Sequence, residues 1–281
     1  MSSSAATLLV LLSAVLHAGW NAVLKTQRET RVSSVLILAV AALSSSLVAV
    51  VLPGVAFPNW QALGWALGSG LGEAAYVATL ARALDASSLG VAYTVSRGGS
   101  LLLLWPLSVF WLGETVSAPA IVGAALVCVG LVFTSFERHA SQSARGLVWA
   151  VACAGFIAMV YLGYKRALAA GAEPTALFAL SLVVAVPLNA ATLGARALPR
   201  LAGELRARPV LIVGTGIVCA ASFLLFLAAL HGTGAGRAAT LRNTSVLFAH
   251  AFGWMSGHPP TRAQVIGGAL VVLGALLLGA G

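Results

Sequence analysis

The stretch GSGLGEAA at residues 68–75 returns 146 positions later as GTGIVCAA at residues 214–221. The same offset lays Ala83 and Leu84 on Ala229 and Leu230, and Gly90 on Gly236, while an offset of 144 lays Gly123 and Leu126 on Gly267 and Leu270. Self-similarity at about half of a 281-residue chain means two related halves. Composition decides their solvent: 60% of the residues are hydrophobic and only 8% charged, against about 25% charged in an ordinary globular protein. A water-soluble fold cannot hide that much apolar side chain. The halves are therefore expected in lipid, and a large water-facing domain is excluded.

Apolar runs between charges and Pro/Gly punctuation predict helices near residues 5–24, 32–52, 60–82, 87–112, 118–135, 146–164, 174–194, 209–230, 234–256 and 262–280. Five helices per half is an odd number, so the second half must enter the membrane from the side opposite to the first. The expected fold is all-α: a polytopic membrane protein of ten transmembrane helices built as two inverted five-helix repeats, residues 1–138 and 145–281. Inverted repeats in a helical membrane bundle are the architecture of secondary transporters, with the substrate near the midplane where the halves meet.

Sixteen Lys and Arg against seven acids give a net charge of +9. The basic residues sit singly or in short clusters between apolar stretches, with no basic face interleaved by aromatics, so they speak for membrane orientation and not for nucleic acid. The connections after the first, third, fifth, seventh and ninth helices hold Lys25, Arg28, Arg31, Arg82, Arg138, Arg145, Arg196, Arg200, Arg206, Arg208 and Arg262; the other side holds Lys165, Arg166 and Arg237. By the positive-inside rule both termini are expected outside, in a bacterial cytoplasmic membrane. The first residues lack the basic region of a secretory signal, so the first apolar run is read as a retained helix. Cys128, Cys153 and Cys219 all fall in apolar runs without paired spacing, which points to no disulfide framework and no metal site.

Residues 74–76 and 86–93, then Phe110 to Glu114 and Pro119 to Gly130, follow the third to fifth helices of a known repeat. With them the chain resembles the drug/metabolite transporter superfamily, as a protein with two EamA-type repeats, and is similar to the second half of small multidrug resistance proteins. The stretch LHAGWNAVLK at residues 16–25 resembles a first-helix pattern in a subset of these transporters. The resemblance covers nearly the whole chain, and the Leu112, Gly113, Glu114 turn is its sharpest motif. It implies a carrier without cofactor. The second copy of that turn departs from the pattern, with His258 in place of the acid.

Ionisable groups at membrane depth are costly and are functional candidates. Arg97 and Arg242 stand at nearly the same place in the two halves. Facing one cavity, two guanidiniums would bind a carboxylate or phosphonate through paired donors; otherwise each snorkels or pairs with a carboxylate to hold the bundle. Glu73, with Tyr76 on its face at i+3, is either a coupling-proton site or a fixed salt bridge to one of those arginines. His17, Trp20 and Asn21 share a face at i, i+3 and i+4 and line either a cavity or a helix contact, with His17 a second proton candidate. Tyr93, Asn243 and Tyr161 complete the candidate lining, and Tyr164 is an aromatic of the same kind. Glu114 is read as ordering its turn, and Gly64, Gly68 and Gly72 as a close helix contact.

These residues point to a carrier of a small polar or anionic metabolite, such as an amino acid, organic acid or phosphonate, with the bilayer as its surroundings and an ion gradient as its energy source. No Walker A sequence is present. Two other classes compete with this reading. An intramembrane enzyme would need converging nucleophile and base or spaced metal ligands, and the sequence carries no such motif. A non-transporting membrane subunit or lipid-binding partner would have no need of matched arginines at mid-depth.

Overall fold

The computed structural model describes residues 3–52, 54–86, 94–134, 143–255 and 261–280, and every regular element among them is helical. The helices are α1 (Ser3–Lys25), α2 (Thr30–Val51) and α3 (Trp60–Ala86), then a π-helical segment (Thr94–Gly98) running directly into α4 (Gly99–Leu112), and α5 (Ala118–Thr134). They continue as α6 (Ala144–Ala169), α7 (Pro174–Ala191), α8 (Ala197–Ala207), α9 (Pro209–His231), α10 (Ala235–Arg242), α11 (Ser245–Met255) and α12 (Arg262–Ala280). Six stretches, lying in α1, α2, α4 with its π-helical lead-in, α6, α7 and α9, are long and apolar enough to cross a membrane, and α5 and α12 are shorter apolar helices. Large apolar side chains such as Leu43, Leu102 and Phe110 stand exposed on the outside, the surface that lipid tails would cover.

Helix ends carry the expected caps. Ser143 Oγ accepts the Gly146 amide at 3.1 Å to start α6, and Glu173 accepts the Ala176 amide to start α7 behind Pro174. Gly113 closes α4 in the left-handed region at φ 69°, with its amide and that of Glu114 returning to Val109 and Ser108 carbonyls. That conformation is why the Leu-Gly-Glu turn needs its glycine.

The bundle is assembled by pairs. α1 packs on α9, α3 on α6, α2 on α7 and α5 on α12. The closest approaches are at glycines. A Cβ on Gly123 would come 2.7 Å from the Gly274 carbonyl, and one on Gly130 would come 2.6 Å from that of Gly267. A Cβ on Gly70 would meet Ser181 and Val184 at 2.8 Å, and one on Gly216 would meet Val40 and Ile37. These backbones touch because they have no side chain, the usual device where lipid offers no hydrophobic drive between helices. The close contacts of α3 are therefore made by Gly70 and Gly72; nothing lies near Gly64 or Gly68, so the expected ridge is corrected.

Two further differences stand out. The connection after the seventh expected helix holds α8, an amphipathic helix with no buried residue, fastened by Arg200 to Glu29 and by Glu204 to Ser33. The ninth expected helix is two short ones. At that break the Thr244 hydroxyl donates to the Leu241 carbonyl, and Ser100 at the start of α4 donates back to the Arg97 carbonyl in the π-helical segment. Such local side-chain bonds compete with the α ladder.

Candidate functional site

Arg97 and Arg242 both sit where the helix is irregular. Arg97 lies in the π-helical segment, and Arg242 is the last residue of α10 before the break to α11. Single π turns and interrupted helices in a membrane bundle leave backbone and side chains free to face a site.

The two arginines converge on His17. Its buried ring has Arg97 Nη2 at 3.1 Å from Nε2 and Arg242 Nη2 at 3.3 Å from Nδ1, and Trp20 Nε1 reaches the same Nδ1 at 3.3 Å. Guanidinium and indole groups only donate, and a neutral imidazole accepts at one nitrogen. The ring alone therefore cannot satisfy all three donors. Asn21 folds back to the His17 carbonyl at 2.7 Å, so its amide serves its own helix.

Arg242 is 1% exposed. Its Cζ lies 4.0 Å from the Phe223 ring centre and 4.3 Å from that of Phe226, a cation–π clamp from two residues one turn apart on α9. Its Nε and Nη1 have no hydrogen-bond partner among the described residues. Glu73 is also buried and accepts the Tyr164 hydroxyl at 2.9 Å. Among the described residues the one ion pair is Arg200 with Glu29, so the fixed Glu73–arginine bridge weighed from the sequence is absent there.

Between these groups lies a pocket lined by His17, Glu73, Tyr76, Arg97, Ile157, Val160, Tyr161 and Phe223. Only about 20 Å³ of it is open to the centre of a water molecule, room for one or two waters. Tyr161 faces Phe226 at 5.2 Å between ring centres. Arg242, packed on Phe223, is not among the lining residues. Asn243 is buried and ends α10 through its backbone amide. Tyr93 lies outside the described residues, as does the side chain of His250.

Phe223, Phe226 and Tyr164's bond to Glu73 are the elements that residue types did not disclose. At the 146 offset the two phenylalanines fall on Val77 and Leu80, so nothing in the first half foreshadows them. α10 is held from the first half: both Glu114 oxygens accept the Ala235 amide, and Trp105 Nε1 donates to Thr240 Oγ1 at 3.0 Å. Glu114 thus does more than order its own turn. Lys165 Nζ donates to the Leu230 and Thr233 carbonyls and caps the end of α9.

Residues 144–280 match the family model of the EamA-like transporter family. A crystal structure matches the chain with a TM-score of 0.77, covering 99% of this chain and 98% of its own, at 18% identity. At that identity it speaks for the fold. None of the curated proteins matches the chain. With its apolar helices this is an integral membrane protein, and over residues 144–280 it is similar to the EamA-like transporter family, consistent with the drug/metabolite transporter superfamily.

Proposed function

We propose that this protein is a secondary carrier that moves a small polar or anionic metabolite, such as an amino acid, organic acid or phosphonate, across the bacterial cytoplasmic membrane by alternating access. The observation that carries the reading is the convergence of Arg97 and Arg242, each at a helix irregularity, on the ring of His17. The anionic group of the substrate is held by the two guanidiniums with His17 between them, and Trp20, Tyr161, Asn243 and Tyr93 complete the lining. Glu73 carries the coupling proton, with His17 as the second candidate. A pocket with room for one or two waters fits a closed intermediate that opens to admit substrate.

Two inverted repeats, residues 1–138 and 145–281, supply the moving halves. Gly123 and Gly267 are equivalent at an offset of 144, as are Gly130 and Gly274, and the close contacts run 123 to 274 and 130 to 267. Cross-pairing of equivalents is how two copies meet about a twofold axis. The Gly70 and Gly216 contacts cross in the same way, since Val40 and Val184 are 144 apart. The charge count orients both termini outside.

Purified protein in liposomes is expected to move at least one acid, amino acid or phosphonate down an imposed proton or solute gradient, with Arg97→Ala and Arg242→Ala inactive. Absence of flux for the whole panel under every gradient would overturn the proposal.

A further inference from the structure

Cys219, Phe223 and Phe226 stand at i, i+4 and i+7 and share one face of α9. The two rings hold the Arg242 guanidinium, and Cys219, fully buried, and Glu73 are both electrostatic neighbours of the same group. At the 146 offset Cys219 is the counterpart of Glu73. The first half therefore has an acid where the second half has a neutral thiol, and Glu73 is itself bonded to Tyr164 and forms no ion pair with Arg242.

We propose that Cys219 sets the charge class of the substrate: standing where the first half carries Glu73, it leaves Arg242 without an ion-paired carboxylate and two guanidiniums facing a single acid, so the site takes a small oxyanion. This rests on the carrier reading above and names the ligand chemistry of its site. A guanidinium keeps its proton in proteins, so Arg242 cannot become neutral. Buried charge is costly unless paired and hydrogen-bonded, and the groups around Arg242 are His17, Phe223, Phe226, Tyr161 and Cys219, with Arg97 as a second cation and Glu73 as the one acid among the described residues for the two guanidiniums, bonded to Tyr164 and not ion-paired to Arg242. A carboxylate or phosphonate would supply both the missing charge and acceptors for Nε and Nη1.

The test compares isosteric pairs at position 219 by thermal melting in detergent. C219E is expected to melt several degrees above C219Q, because the new carboxylate meets Arg242. Sodium acetate or sodium methylphosphonate, replacing chloride at equal ionic strength, should raise the melting temperature of the wild type and leave that of C219E unchanged. The two salts separate carboxylate from phosphonate as the preferred oxyanion. If C219E melts below C219Q, Arg242 already has its counter-charge and the proposal is overturned. C219D against C219N makes the same comparison with shorter side chains if the longer ones do not fit. If the acid is stabilising but neither salt shifts the wild type, the oxyanion assignment falls. Melting requires no transport, so a failed flux assay with the pair order intact counts against the carrier reading alone.

Discussion

Glu114 accepts the backbone amide of Ala235 through both carboxylate oxygens, at 2.8 and 2.9 Å, across 121 positions of chain. The turn after α4 thereby caps α10, whose other end is Arg242. A capping side chain contributes about 0.5–2 kcal/mol. Glu114→Ala is expected to lower stability by about 1 kcal/mol and to reduce transport by loosening Arg242, while Glu114→Gln, which keeps one acceptor, loses less. Melting and flux of the two variants check this.

The α5–α12 seam depends on bare backbone. Gly123→Ala and Gly130→Ala push a methyl into a carbonyl on a partner helix at 2.7 and 2.6 Å, and overpacking of that kind costs about 1–3 kcal/mol. Gly64→Ala and Gly68→Ala meet open space and are expected to leave the melting temperature unchanged or raise it, since alanine favours helix by about 0.5–1 kcal/mol. Equal losses for all four would sink the packing account.

Arg242 is expected to separate stability from function. Replacing a buried ionic group by an apolar one of similar volume is often neutral or stabilising, by about 1–4 kcal/mol. Arg242→Met, packed between Phe223 and Phe226, should therefore melt at or above the wild type yet show no transport. Strong destabilisation would mean that the guanidinium is a structural anchor.

Tyr164 donates to Glu73 deep in the bundle. Glu73→Ala strands that hydroxyl, and an unsatisfied buried donor costs about 1–3 kcal/mol. Glu73→Gln keeps an acceptor at the same place and should melt within about 1 kcal/mol of the wild type. If Glu73 carries the coupling proton, the glutamine variant still exchanges substrate across the membrane but no longer responds to a proton gradient.

Much of this was legible in the residues themselves. Hydrophobic content and run length announce lipid-embedded helices, because that signal is local, and the GSGLGEAA and GTGIVCAA pair is the ground on which two related halves are proposed. Matched placement singled out Arg97 and Arg242, and helical spacing singled out the face of His17. Which side chain meets which was decided by the tertiary structure. Glu73 chose a tyrosine over an arginine, Gly70 made the contact expected of Gly64 and Gly68, and α8 formed where a loop was expected. Phe223 and Phe226 read as ordinary apolar residues until α9 turns them onto Arg242. Periodicity assigns a residue to a face of its own helix; the partner across that face is set by how backbones separated by about half the chain close on one another, and glycines decide that closure.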